Sequence, residues 1–225
     1  MKKRLRYFTP LEWGLWLGSV LAILGAYQAF DRVGWVTLTA SLLGVTALIF
    51  NAKGNPIGQG LMVVFSFLYG WISLGCAYYG EMITYLGMSM PMAAVALVSW
   101  LRHPYQGNRA QVQVNHLRRR EILWMLVLAA AVTAGFYFIL RAFHTANLPL
   151  STLSVTTSFL AVYLTFRRSP WYAVAYAAND LVLIGLWLLV ADYAVAVCFA
   201  AFFLNDGYGF IRWRQMARCQ AESGR

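Results

Sequence analysis

Charged side chains are scarce in this chain, and acidic ones scarcest: eight Asp and Glu occur among 225 residues, and all charged types together make up 12%. Against 60% hydrophobic residues and a mean hydropathy of +0.59, too little polar sequence remains for a second, water-soluble domain. Cysteine is sparse as well. Cys76, Cys198 and Cys219 have no spacing that suits a metal site or a redox pair, and they read as free thiols. His103, His116 and His144 fall in connectors, with no His-Glu-x-x-His pattern and no acidic partner at helical spacing, so they read as solvated loop residues. No phosphate-binding loop, metal-ligand pair or nucleophile with a base appears. An enzyme such as a lipid-modifying transferase is therefore disfavoured, and neither cofactor nor metal is expected.

What the chain does have is long apolar runs, at 11–30, 33–51, 56–79, 82–101, 121–142, 150–167, 170–190 and 192–213. Each supplies about the twenty residues that cross ~30 Å of hydrocarbon at ~1.5 Å per residue. The expected fold is all-α: a polytopic membrane protein with eight spans and the lipid bilayer as its main partner. Eight crossings put sixteen of the eighteen Lys and Arg on one side, leaving only Arg32 and Arg141 on the other. By the positive-inside rule that side is the cytoplasm and holds both termini. The basic residues form short clusters beside the spans (Lys2, Lys3, Arg4 and Arg6; Lys53; Arg102, Arg109 and Arg118 to Arg120; Arg167 and Arg168; Arg212, Arg214, Arg218 and Arg225). Topology and anionic headgroups account for the net charge of +10, so no nucleic-acid partner is expected. Met1 to Arg6 ahead of an apolar stretch resembles a secretory signal, but the stretch is too long and ends in a poor cleavage site near Asp31, so it reads as a retained first span.

An internal repeat organises the spans. With Pro56 laid over Pro170, an offset of 114, Asn55-Pro56 matches Ser169-Pro170: a residue able to cap a helix, then proline at the first helical position. A basic turn precedes each pair, and Trp100 matches Trp213 after a slip of one residue. Spans two to four thus repeat as spans six to eight in the same orientation, an arrangement known among transporters. The plan is an extra N-terminal helix (1–32), a first three-helix bundle (33–101), a cytoplasmic basic loop with a linking helix (102–149), a second bundle (150–213) and a cytoplasmic tail (214–225). Both copies weaken their last helix, one at Pro91 and the other at Asn205-Asp206-Gly207-Tyr208-Gly209, where local unwinding and gating at Pro91, Gly207 and Gly209 are expected.

Six acids sit near helix ends or in the tail (Glu12, Asp31, Glu81, Glu121, Asp192, Glu222), which leaves Asp180 and Asp206 inside. Asp180 falls roughly 15 Å from either surface. An ionised carboxylate there costs about 2.5 to 3.5 kcal/mol, so it should meet a partner, a cavity or a substrate. Asn179 and Asn205 add amides, and Trp187, two turns beyond Asp180, shares its face. Carboxylate, amide and indole together suit a flat cationic ring carrying hydroxyls. In the first copy Ser66 matches Asp180 and Trp71 supplies an aromatic wall. Gln59 and Tyr69, with Thr156, Thr157 and Ser158, are further polar candidates, as is Tyr208 beside the second acid. The alternative is that these groups only hold helices together, as in a structural subunit.

Ser154-Val155-Thr156-Thr157-Ser158-Phe159, the Asn179-Asp180 to Trp187 span, and Asn205-Asp206-Gly207-Tyr208-Gly209 with Trp213 resemble the PnuC-type vitamin transporters over essentially the whole chain. The resemblance implies a SWEET-like fold and uptake of nicotinamide riboside, a vitamin B3 precursor, by facilitated diffusion, with a cytoplasmic kinase trapping the product for NAD synthesis. It extends to relatives that carry thiamine or riboflavin, and proton coupling through Asp180 or Asp206 is the alternative mechanism. A homo-oligomer in the bacterial inner membrane is expected.

Overall fold

The structure, a computed structural model, describes residues 7–30, 34–75, 78–145 and 147–223. Lys2, Lys3, Arg4, Arg6, Asp31, Arg32, Cys76 and Arg225, named above, lie outside the described residues. Helices α1 (Pro10–Phe30), α2 (Trp35–Ala52) and α3 (Pro56–Gly75) are followed by a span built from α4 (Tyr79–Thr84), a π-helical turn (Tyr85–Ser89) and α5 (Met90–Arg102). After a short hairpin, β1 (Pro104–Tyr105) and β2 (Asn108–Val112), come α6 (Arg119–Ala142), α7 (Leu148–Phe166), α8 (Tyr172–Leu189) and α9 (Tyr193–Ser223). Eight of these segments, with α4 to α5 taken as one, are long and apolar enough to cross a membrane. The protein is a multi-pass, all-α membrane protein.

The ends of the helices follow from local chemistry, and the same chemistry recurs at the offset of 114. Helix α2 closes with Gly54 at φ +66, and Asn55 N–H reaches back to the Phe50 carbonyl at 3.0 Å; α7 closes with Arg168 at φ +56, and Ser169 N–H reaches Leu164 O at 3.0 Å. The next helix is then capped in each copy, Asn55 Oδ1 accepting from Ile57 N–H at 3.0 Å and Ser169 Oγ from Trp171 N–H at 3.4 Å. Crossed bonds join the copies. The Trp100 indole donates to Thr165 O at 2.9 Å and the Trp213 indole to Asn51 O at 2.7 Å, with the two buried rings 5.3 Å apart.

Packing has the same pairwise order. Helix α2 lies on α3 and α9, while α7 lies on α8 and α5. Helix α1, additional to the three-plus-one-plus-three plan, packs on α2 as α6 packs on α7. Glu12 in its first turn pairs with Lys53, Nζ to Oε2 2.9 Å, and Glu121 in the first turn of α6 pairs with Arg167. Both acids also fold back onto the backbone of their own helix start, Glu12 accepting from Thr9 N–H at 2.7 Å and Glu121 from Arg118 N–H at 2.9 Å.

Three expectations change. The Asn205 to Gly209 stretch does not unwind: α9 is continuous. Breaking its backbone bonds at that depth would leave polar groups unsatisfied, and Gly209 sits at a helix contact where a Cβ would meet the Tyr172 hydroxyl at 3.4 Å and Ala52 at 3.9 Å, ordinary contact distances. The tail beyond 213 stays helical to Ser223, held by Gln220, which donates to Val112 O at 3.0 Å and accepts from Val114 N–H at 2.8 Å. The hairpin that Gln220 grips gave no strand signal, being five residues at its longest and turned by Gln106-Gly107 at positive φ. The other weak point is real. Pro91 has no N–H and its ring crowds the carbonyl four residues back, and the π-helical turn ends just before it.

Candidate functional site

A small cavity lies between the two three-helix sets, at the level of the π-helical turn. Its floor and walls are Met62, Phe65 and Ser66 of α3, Tyr85 and Ser89 of the π-helical turn, Ala93 of α5, Ser158 of α7, Tyr176, Asn179 and Asp180 of α8, and Phe199, Phe202 and Asp206 of α9, with Leu48 of α2. The open volume is about 30 Å³, the share of one water molecule in the liquid. In this conformation the chamber is contracted, and a nucleoside enters only if the sets part.

Asp180 and Asp206 are each 3% exposed and line the same cavity from the adjoining helices α8 and α9. No donor reaches Asp180 Oδ2. The ion pairs among the described residues use only Glu12 and Glu121, with Lys53, Arg167 and Arg212 as the bases, so no basic side chain balances this pair. Asn179 stands beside it. Its carbonyl oxygen accepts from Thr157 Oγ1 at 2.8 Å and Ser158 Oγ at 3.0 Å, which fixes the amide and leaves its NH2 group as the part available to a ligand. Ser66 adds a hydroxyl from the opposite set. The chamber therefore offers negative charge, amide donors and hydroxyls between aromatic walls, which suits a cationic, hydroxyl-bearing solute.

Of the residues singled out from sequence, Asp180, Asn179, Asp206, Ser66 and Ser158 meet in the chamber, and Thr157 supports Asn179 from behind. The others go elsewhere. Trp187 is fully buried but one layer beyond the cavity, its ring 5.8 Å from Tyr69 and 5.2 Å from Tyr78. Trp71 is 62% exposed and faces away from the chamber. The aromatic wall on α3 is instead Phe65, with Tyr69 stacked above it at 5.6 Å, because six residues carry Trp71 to another face of the helix while four keep Tyr69 on it. Asn205 turns toward α1, its amide donating to Ser19 Oγ at 2.9 Å and to Ala201 O at 2.8 Å; consecutive helical residues point about 100° apart, so only Asp206 faces α8. Gln59 is spent on Asn51 Oδ1 at 2.8 Å, and the Tyr208 hydroxyl on Glu12 at 3.0 Å. Gly207 lies on the exposed face of α9, and Gly209 sits at a helix contact near the basic end.

Sequence reasoning missed Tyr85, Ser89, Tyr176, Phe199 and Phe202. Three of these were findable. Tyr176 is one turn before Asp180 on the same face, and Tyr85 and Ser89 are spaced by four in the helix weakened at Pro91. Phe202 comes close because Gly44 opposite has no side chain, a Cβ there overlapping its ring.

The chain is similar to two curated bacterial proteins, both described as the nicotinamide riboside transporter PnuC. That of Neisseria mucosa is 24% identical over 91% of this chain and 81% of its own length, and that of Haemophilus influenzae 21% identical over 91% and 90%. The solved crystal structure of the vitamin B3 transporter PnuC superimposes with a TM-score of 0.82 at 20% identity, covering 95% of this chain and 94% of its own, so the fold is shared. The model of the nicotinamide mononucleotide transporter family matches residues 34–215, which takes in both helix sets and every residue of the chamber. With that match spanning most of its length, the chain belongs to the nicotinamide mononucleotide transporter family.

Proposed function

We propose that this transporter carries nicotinamide riboside across the bacterial inner membrane by facilitated diffusion, alternating access to the chamber between the two helix sets. The observation that carries the reading is the uncompensated Asp180–Asp206 pair buried beside a fixed asparagine amide. A pyridinium ring brings the missing positive charge, the Asn179 NH2 and Ser66 hydroxyl are placed for ribose hydroxyls, and Phe65, Tyr85 and Tyr176 can flank the ring. The same acids disfavour the mononucleotide, whose phosphate would be drawn into a site that already holds negative charge. The positive-inside rule supports a cytoplasmic basic end, with Lys53, Arg167 and Arg212, and cytoplasmic termini. Transport without an energy source needs a sink, which a cytoplasmic kinase provides by adding the excluded phosphate. The π-helical turn before Pro91 is the bend over which the first set swings open, since its loose backbone abuts the chamber through Tyr85 and Ser89.

Liposomes reconstituted with the purified protein test this. Labelled nicotinamide riboside should equilibrate and not accumulate, with or without a pH gradient, and should accumulate only when kinase and ATP are enclosed. Accumulation driven by a proton gradient alone would replace facilitated diffusion with coupling through the acids. Thiamine or riboflavin competing where nicotinamide riboside does not would reassign the substrate.

A further inference from the structure

Glu81 takes no part in the chamber, yet it is more completely enclosed than either aspartate: it is 0% exposed and no donor completes a hydrogen bond to either carboxylate oxygen. Sequence position had put it at a helix end near the surface. A carboxylate in that setting is costly unless something else offsets it. Its surroundings indicate what does. Tyr85 follows Glu81 by one turn on the same face and lines the chamber, and the Tyr85 hydroxyl lies within electrostatic reach of both Glu81 and Asp180. Tyr69, also within reach of Glu81, has its ring 4.3 Å from that of Tyr85 and 5.8 Å from Trp187. Ser154 of α7 adjoins the carboxylate and Trp187 Nε1 adjoins the Tyr69 hydroxyl, yet none of these buried groups reaches full hydrogen-bond geometry. Unsatisfied donors, two aromatic faces and an unbalanced carboxylate thus gather one layer beyond the chamber, on the side away from the basic turns.

We infer that Glu81, with Trp187, Tyr69 and Ser154, forms a second substrate station that receives the cationic ring of the nucleoside before it passes Tyr85 into the Asp180–Asp206 chamber. This rests on the proposed cationic substrate. It gives Trp187 a ligand to stack on, which the chamber itself does not, and Tyr85, near both Glu81 and Asp180, stands between the station and the chamber.

The test compares affinities of the full-length protein for nicotinamide riboside and for its reduced dihydro form, which has the same shape without the ring charge. An attraction over about 6 Å in an effective dielectric of about 40 corresponds to about tenfold in affinity. Glu81→Gln should therefore weaken the cation about tenfold and the neutral form less than about twofold. Glu81→Met, apolar and of similar length, should lose the same preference and serves if the glutamine variant does not fold. Equal loss for both ligands, or unchanged affinity for the cation, would overturn the station and mark Glu81 as a packing residue. If the unaltered protein fails to bind nicotinamide riboside, the station falls together with the proposed substrate; if it binds and the variants bind equally well, the station falls alone.

Discussion

Replacing both chamber acids, Asp180→Asn with Asp206→Asn, should cost far more affinity than either change alone. The carboxyls line the same cavity and lack any basic partner, so like-charge repulsion disfavours two full charges there and favours a single negative charge carried by the pair. A pyridinium about 5 Å away interacts with that charge by about 1.7 to 3.3 kcal/mol for an effective dielectric of 40 to 20, or about 15- to 300-fold in affinity. Either single variant keeps one carboxyl that can carry the charge, so its loss should stay near fivefold, about 1 kcal/mol. Calorimetric titration of the detergent-purified variants with nicotinamide riboside reads all three values. Thermal unfolding without ligand should not fall, because amides of the same shape remove a buried charge rather than strand one. A double variant that binds within twofold of the unaltered protein refutes the charge argument, and a single variant as weak as the double refutes the charge carried by the pair.

Lys53→Met removes the nearer base of Glu12, which is 1% exposed and keeps Arg212 at 3.8 Å and the Tyr208 hydroxyl, and should destabilise by about 1.5 kcal/mol, with Glu12→Gln in the same chain restoring part of the loss in a thermal melt. Gly44→Ala drives a methyl into the Phe202 ring at the chamber wall. It should cost about 1 to 3 kcal/mol of stability and weaken substrate binding as the ring is pushed inward, both readable on one purified sample. Pro91→Ala restores a backbone N–H and favours a regular α-turn in place of the π-helical one; riboside affinity should hold while liposome uptake slows, and unaltered uptake would remove the bend from the mechanism.

The spans and their repeat were legible because both are written in features the membrane enforces: length, the side of the basic turns, and capped prolines at Asn55-Pro56 and Ser169-Pro170. The two central acids were legible for the same reason, since lipid makes their presence costly. Azimuth was not. Trp71 and Phe65 are equally aromatic, Asn205 and Asp206 equally polar, and only the packing of α1 against α9 decides that the asparagine serves a helix contact and the aspartate the chamber. Glu81 was misread because distance from a helix end was taken for distance from water, whereas α7 covers it. Glycine at 207 and 209 suggested unwinding, but α9 runs through both without a break, Gly207 on its exposed face and Gly209 at a helix contact.

The repeat also explains how one chamber can be built by symmetry and still hold an oriented ligand. At the offset of 114, Met62, Phe65 and Ser66 correspond to Tyr176, Asn179 and Asp180, and after the slip of one Ser89 and Ala93 correspond to Phe202 and Asp206. All ten residues line the cavity, so equivalent positions form its opposing walls. Their chemistry is unequal. The second set contributes both carboxylates and the amide, while the first contributes thioether, phenyl, hydroxyl and methyl groups. On the proposed mechanism the symmetric frame would let the two sets rock as equivalent bodies, while the asymmetry of charge would hold a cationic ring against α8 and α9. The frame therefore governs the opening of the chamber and the second-set residues govern what it holds, so substitutions on α3 should alter transport rate more than charge selectivity, and substitutions at Asn179, Asp180 or Asp206 the reverse.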